Sequence, residues 1–136
     1  MIRSKIGVPV LVLILLGPGA CHSGDSPPRQ TAHINHIVFM KLKDPSQASL
    51  LMADCRSRLE SIPSVRGAFT GQHGDFGRNG VDDEYDVGFF VSFDTREQYM
   101  AYLQHPEHLG LVEEWKPRFE WIRIHDVVDE TAEDSN

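Results

Sequence analysis

The sequence has little of three things: cysteine, long apolar stretches and positive charge. Two cysteines among 136 residues cannot supply the disulfide framework that holds many small exported domains. The most apolar stretch, Ile6 to Leu16, has 11 residues, whereas a membrane-spanning helix needs about 20. Acidic residues outnumber basic ones by 20 to 13, which argues against nucleic acid as a partner.

The N-terminus, residues 1–20, predicts a secretory signal peptide. Arg3 and Lys5 precede the apolar stretch, and small residues follow it up to Ala20. The next residue is Cys21, and the letters GPGAC resemble the lipobox of bacterial lipoproteins, in which the cysteine is lipidated. We therefore expect a protein of the bacterial cell envelope that is attached to the membrane only through this lipid. Ordinary cleavage with an incidental cysteine, giving a periplasmic or secreted protein, is the alternative.

The folded domain is predicted to occupy residues 33–128. Residues 21–32 are polar and contain two prolines, which is typical of a flexible linker. Residues 129–136 are acidic and predict a frayed tail. Loss of the signal peptide removes two basic residues and moves the formal charge of the chain from −7 to −9. The mature chain is therefore a single small acidic domain with polar ends.

Four segments of the domain have the periodicity of strands, with apolar residues at alternate positions. These segments are 33–43, 65–73, 85–93 and 118–128. The second is the weakest, because two glycines interrupt it. The glycines and charges of residues 74–84 predict a loop before the third strand.

The first helix is predicted between the first two strands. Asp44 is a candidate cap, Pro45 suits the first helical position, and Gln47 completes a spacing similar to a capping box. Apolar residues recur at helical spacing until Pro63 ends the helix. Cys55 lies on that apolar stripe, so it is predicted to be a small buried core residue.

A second helix is predicted after the third strand, with Asp94 as its cap and Glu97 three residues later. It should end before Pro106, since the residue before a proline is disfavoured in helical geometry. Pro106 then suits the start of another short helix. His105 stands at this break and is predicted to be mainly a junction residue.

The order of the elements, βαββαβ, predicts an α+β fold of the ferredoxin-like type, an antiparallel sheet with helices on one face. The first and third strands carry large apolar residues on both faces, for example Phe39 and Phe90 on the side opposite the helices. The bare face must therefore be covered too. A second copy of the chain is the simplest cover, so we expect a homodimer in which two sheets form an α+β barrel.

Three segments resemble the stress-responsive α/β-barrel family, known as the Dabb domain: NHIVFMKLKD, YDVGFFVSFDTREQYMAYLQHPEHLGLV and HDVV. The resemblance implies a ferredoxin-like protomer that dimerises face to face. It does not fix a function. One plant member is a polyketide cyclase without a cofactor that uses a His–Tyr pair. By motif position, its base resembles His108, its tyrosine Tyr102 and its first-strand histidine His36. Val87 stands where that cyclase has a further histidine.

Two interpretations of His108, Tyr102 and His36 remain open. They can form a pocket in which a histidine abstracts an acidic proton while the tyrosine orients a carbonyl group. Alternatively, they are core residues whose polar ends are satisfied by hydrogen bonds. No metal is predicted, because Pro106 separates His105 from His108 and no carboxylate or cysteine joins them at a zinc-like spacing. No cofactor is predicted either, because no histidine is marked as a haem ligand.

The function predicted is that of an exported stress-responsive protein that binds a small hydrophobic or carbonyl-containing molecule. One alternative is an enzyme without a cofactor, similar to a polyketide cyclase or a lyase, that uses the His–Tyr pair. Another is a structural protein of the cell envelope whose dimer face is its function. An open site beside Tyr102 favours the first two, and a filled one favours the third.

Overall fold

The computed structural model describes residues 32–130. The predicted signal peptide, Cys21, the predicted linker up to residue 31 and the predicted tail after residue 130 lie outside the described residues. Within the described range, no helix is both long and apolar enough to cross a bilayer. In chain order the elements are β1 (Ile34–Leu42), α1 (Ala48–Asp54), β2 (Gly67–Gly71), β3 (Val87–Phe93), α2 (Arg96–Leu103), α3 (Pro106–Trp115) and β4 (Phe119–Val128).

The four strands form one antiparallel sheet in the order β2-β3-β1-β4. This order and the sequence of elements are those of the ferredoxin-like fold, so the predicted fold class is confirmed. β1 lies in the interior of the sheet between β3 and β4. Its residue His36 stands opposite Val91 on one side and Asp126 on the other. The central strand β1 therefore places the His36 side chain between Val91 of β3 and Asp126 of β4.

The core lies between the helices and one face of the sheet. Alternate residues of β1 and β3 point towards the helices, because successive side chains in a strand face opposite sides. The predicted stripe of α1 is confirmed, since Leu51, Cys55, Leu59 and Ile62 are all buried. Burial raises the pKa of Cys55 to about 12. That cysteine is therefore a core residue rather than a reactive thiol.

The other face of the sheet, which we call the open face, is rich in aromatic side chains. Phe69 stacks on Phe90 with 5.1 Å between ring centroids, yet 62% of Phe69 is exposed. Phe39 contacts Tyr85 at 4.8 Å. The loop before β3 is tied to the rim of this face, because Arg123 of β4 pairs with Asp82 at 3.0 Å. The protomer alone thus leaves a large apolar surface in contact with water.

α1 continues into a single π-helical turn, Cys55–Leu59, which directs Arg58 towards α3. Arg58 pairs with Glu107 at 2.9 Å and with Glu114 at 3.0 Å. Gly110 lies between these carboxylates, and a Cβ atom there would come within 2.9 Å of the Arg58 Nη2 atom. The arginine therefore crosses α3 where the helix has no side chain.

A second contact holds the other end of α3. Trp115 is fully buried, and its Nε1 atom donates a hydrogen bond to the Asp54 carboxylate at 2.8 Å. Asp54 is the last residue of α1. α1 and α3 are consequently joined by the hydrogen bond between Trp115 and Asp54 in the interior and by the ion pairs of Arg58 near the surface.

The structure corrects two predicted caps. Asp44 accepts a hydrogen bond from the backbone of Ser46, but the turn it caps is a short 3₁₀ turn that precedes α1. Gln47 donates to the Asp44 carboxylate at 3.3 Å, so it does not form the predicted capping box. At α2 the cap is Thr95 rather than Asp94, and its partner is Gln98 rather than Glu97. Both elements exist as predicted, but their first residues are shifted.

The Thr95 cap gives a direct test. Thr95 accepts a bond from the Gln98 backbone, and Gln98 in return accepts one from the Thr95 backbone. Thr95→Ala should lower the free energy of unfolding by about 1 kcal/mol, the usual cost of losing a cap. Asp94→Ala should cost less than about 0.5 kcal/mol, because the Asp94 side chain forms an exposed ion pair with Arg66 and its backbone bond to Gln98 is kept in the variant. Urea denaturation of both variants checks this, and a larger loss for Asp94→Ala would contradict the assignment.

Candidate functional site

The structure brings the three predicted site residues together from three elements. Tyr102 lies on α2, His108 on α3 and His36 on β1. The Tyr102 ring centroid is 4.7 Å from that of His108 and 6.1 Å from that of His36. Tyr102 is only 1% exposed and His36 only 5%. Tyr102 is therefore the centre of the cluster, with one histidine on either side.

His108 is held by the backbone at the break between α2 and α3. Its Nδ1 atom lies 3.0 Å from the carbonyl oxygen of Leu103. Because a carbonyl can only accept, the ring proton of neutral His108 is on Nδ1, and Nε2 carries a lone pair. Burial lowers the pKa of His108, and His36 adds to that effect, although the Leu103 bond opposes it. At neutral pH this ring is an uncharged hydrogen-bond acceptor and proton acceptor.

Tyr102 can donate a hydrogen bond, whereas neutral His108 can accept one at Nε2. Its pKa is raised, mainly by burial and further by Cys55 and Tyr99. The hydroxyl group therefore keeps its proton well above neutral pH and is available as a hydrogen-bond donor. A donor beside an uncharged acceptor is a suitable arrangement for contacting a carbonyl group and an adjacent acidic proton.

His36 belongs to a hydrogen-bond network with Asp126 and Tyr99. Its Nδ1 atom is 2.7 Å from Oδ1 of Asp126, and the Tyr99 hydroxyl donates to Oδ2 of the same carboxylate at 2.9 Å. The Tyr99 oxygen is also 3.2 Å from Nδ1 of His36. Burial, together with the Asp126 carboxylate, raises the pKa of Tyr99. Both oxygens of the Asp126 carboxylate thus accept a hydrogen bond.

Sequence reasoning assigned no role to Asp126 or Tyr99. Asp126 reaches His36 only through the register of β1 and β4, which places the two residues directly opposite each other. Tyr99 lies one helical turn before Tyr102, so its position on the same side of α2 followed from the spacing. A polar residue at an inward position of the last strand was the signal that could have identified Asp126.

His105 is the junction residue that the sequence predicts. It caps α3, and its Nδ1 atom accepts a hydrogen bond from the backbone of Glu107. His73 and His125 lie near the open face, beside Tyr85 and Phe39 respectively. In the described range, no three side chains of His, Cys, Asp or Glu form a group that could hold a metal ion.

Val87, at the position where the plant cyclase has a further histidine, is completely buried. Its side chain is part of the core cluster formed by the helices and the sheet. The arrangement here therefore consists of His108, Tyr102 and the network around His36.

The lowered pKa of His108 predicts how stability depends on pH. The folded-state pKa lies below the usual 6.5, so the unfolded chain takes up the proton first as the pH falls. The stabilisation is complete above about pH 6.5 and is lost as the pH falls through the lowered value. Between about pH 7.5 and pH 5, urea unfolding should show a steeper loss for the wild type than for His108→Gln. Equal slopes in the two proteins would contradict the assignment.

Comparison with known proteins agrees with this architecture. The model of the Dabb family, the stress responsive A/B barrel domain, matches residues 34–129. A Dabb family protein with a ferredoxin-like fold from Mesorhizobium loti is 26% identical, with 71% of this chain and 95% of that chain covered and a TM-score of 0.60. No curated protein matches the sequence.

Two further solved structures share the fold at lower identity. A dimeric ferredoxin-like protein of unknown function from Thermobifida fusca is 20% identical, with 76% of this chain and 97% of that one covered and a TM-score of 0.59. A hydroxynitrile lyase from Passiflora edulis is 17% identical, with coverages of 75% and 97% and a TM-score of 0.63. The match of the family model over most of the described residues shows that the chain belongs to the Dabb family of stress responsive A/B barrel domains.

Proposed function

We propose that the chain is a dimeric protein of the bacterial cell envelope that binds a small hydrophobic or carbonyl-containing molecule beside Tyr102. The observation that carries this proposal is the pairing of Tyr102, a protonated donor, with His108, an uncharged acceptor, at 4.7 Å between ring centroids. Their surroundings are mostly apolar, since Phe93 packs against Tyr102 at 5.1 Å. Such a site favours an uncharged ligand with one polar group over an ion.

A second candidate is proton-transfer catalysis of the cyclase or lyase type without a cofactor. It is favoured by the Leu103 bond, which fixes the proton of neutral His108 on Nδ1 and leaves Nε2 free. In this reaction Nε2 takes a proton from the carbon beside a carbonyl group. The electrons of that C–H bond move to the carbonyl oxygen, which accepts a hydrogen bond from Tyr102. The proton on Nε2 is then replaced by one from solvent, and transfer of that proton to carbon completes the exchange.

Likeness to a hydroxynitrile lyase supports the second candidate only through the fold, because the identity is 17%. A protein of this fold can therefore serve as a lyase. Reaction at this site would still depend on His108, Tyr102 and His36 themselves. The three residues are proposed as the base, the group that orients the carbonyl, and a pocket partner.

The homodimer is proposed from the open face. Its aromatic side chains are left in water by the protomer, and Phe69 is the most exposed of them. The relative from Thermobifida fusca is a dimeric protein of the same fold. A second copy would cover this surface and close two sheets into a barrel.

Export and lipid attachment at Cys21 are proposed from the signal-like N-terminus. The lipid would tether the domain through the polar linker and leave the site accessible to molecules outside the cytoplasm. The proposed ligand is thus one that reaches the cell envelope. A purely structural role for the dimer is the remaining alternative, and the burial of Tyr102, which is 1% exposed, favours it because a structural role requires no open site.

Acetophenone, a neutral ketone with exchangeable α-hydrogens, separates these functions. We expect it to bind the wild type and to shift the NMR signals of the His108 ring. Tyr102→Phe should weaken binding about three- to tenfold, because one hydrogen bond to the carbonyl is lost. In D₂O the wild type should accelerate α-hydrogen exchange, and His108→Gln should reduce that acceleration about 100-fold through loss of the base.

His105→Gln is the matched control, since it changes a histidine three residues away whose side chain caps α3, and the bond from its backbone N–H to the Tyr102 carbonyl oxygen is kept in the variant. It should leave both binding and exchange unchanged. Binding without exchange would retain the binding function and reject catalysis. Absence of both, with the wild type folded, would reject the site and leave the structural role.

The dimer has its own test in sedimentation velocity. The wild type should sediment as a dimer at about 10 μM, and Phe69→Glu should weaken association at least about tenfold because it introduces a charge into an apolar interface. Leu50→Glu is the control, because Leu50 is an exposed residue of α1 on the opposite side of the molecule. A monomeric wild type, or a Phe69→Glu variant that remains dimeric, would contradict the proposed interface.

A further inference from the structure

The Asp126 carboxylate is unusual in this site because it accepts hydrogen bonds from two different elements. His36 of β1 binds one oxygen at 2.7 Å, and Tyr99 of α2 donates to the other at 2.9 Å. The Asp126 side chain is 47% exposed, whereas the His36 side chain is only 7% exposed. The network therefore connects a carboxylate near the surface to a buried imidazole.

Tyr99 restrains the carboxylate. A half-exposed aspartate on an edge strand can rotate freely in water, and its bond to a histidine is then easily replaced by solvent. The Tyr99 ring packs against Phe93 at 5.2 Å between centroids and against His36 at 5.5 Å. Because this ring is fixed by packing, its hydroxyl group holds Asp126 in the orientation that reaches His36.

An ionised carboxylate has no proton to donate, so the proton in the His36–Asp126 bond belongs to Nδ1 of the imidazole. Nε2 of neutral His36 then carries the lone pair. In well-characterised histidine sites, a carboxylate that binds one ring nitrogen in this way sets the tautomer and orientation of the ring.

We propose that Asp126 and Tyr99 are positioning residues of the site: Asp126 keeps the proton of His36 on Nδ1, and Tyr99 keeps Asp126 in place. This inference rests on the proposed ligand site, in which Nε2 of His36 is the nitrogen left to contact a ligand. Neither residue needs to touch the ligand itself. Their effect on binding or exchange is transmitted through His36.

The two histidines of the site then have the same tautomer but different supports. The Nδ1 proton of His108 is bound by a neutral backbone carbonyl, and that of His36 is bound by a carboxylate. A positive charge that arises on His36 is compensated by Asp126, whereas His108 has only a dipole beside it. This difference suits His108 to take a proton from carbon, whereas Nε2 of neutral His36 can accept a hydrogen bond from a ligand hydroxyl group.

The tautomer is measured directly by long-range ¹⁵N–¹H NMR of protein labelled in histidine, without any ligand. In the wild type, at a pH where both rings are neutral, His36 should show a protonated Nδ1 and an unprotonated Nε2. Asp126→Ala should convert His36 to a mixture of tautomers, and Tyr99→Phe should produce a smaller change in the same direction. His108 is the internal control, because its bond to Leu103 is unaffected by either substitution.

Function is then measured with acetophenone as the probe. Asp126→Ala should reduce α-hydrogen exchange, or binding if the wild type shows no exchange, by about tenfold, which is typical of losing a residue that orients a functional histidine. Tyr99→Phe should reduce it by about two- to fivefold. Tyr85→Phe is the matched control, since it removes a tyrosine hydroxyl beside the open face and should change nothing.

The outcomes separate this inference from the proposed function. If His36 keeps a single Nδ1–H tautomer in Asp126→Ala, Asp126 does not position it and the inference is wrong. If the tautomer changes while acetophenone still binds and exchanges as in the wild type, the residues position His36 to no functional effect, and the inference is again wrong. If wild-type protein neither binds nor exchanges the probe, the proposed function fails, whatever the tautomer result.

Discussion

The register between β1 and β4 is the constraint on which the candidate site depends. It sets His36 opposite Asp126 and directs both towards the helical side of the sheet. Because side chains alternate, a slip of one residue in β1 would turn His36 to the open face and bring Ile37 beneath the helices. The buried apolar residues of the same strand oppose such a slip. The hydrophobic pattern that forms the core therefore also fixes the position of His36, a residue of the candidate site.

Much of this architecture could be predicted from the sequence, because strand alternation and the helical stripe of α1 are local patterns. The approach of His108 to Tyr102 could also be anticipated, since Pro106 interrupts the helix between them. The start of α2 was misplaced because Asp94 and Thr95 are both capable caps, and backbone geometry decides between them. Asp126 was missed for a different reason. Its role depends on a strand partner about 90 residues away, and periodicity within one strand does not reveal that partner.

The chemistry of the site follows from burial more than from charge. Burial is the main cause that lowers the pKa of His108 and raises those of Tyr102 and Tyr99. All three groups are therefore uncharged at neutral pH, and Asp126 supplies a negative charge at the edge of the cluster. An arrangement of this kind starts a proton transfer from neutral groups, and the charges appear only when His108 takes up the proton. It also explains why an acidic protein can present an apolar site.

The attachment of α3 has a consequence for the conditions under which the site operates. Its first turn, which carries His108, is held by the Arg58–Glu107 ion pair near the surface, whereas its last turn has the buried hydrogen bond of the Trp115 indole in addition to the Arg58–Glu114 ion pair. Salt screens both ion pairs and hardly affects the indole bond. Rising ionic strength therefore loosens α3 more at the end that holds the histidine. A change in ionic strength would reach the Tyr102–His108 pair in this way, even though both rings are uncharged at neutral pH.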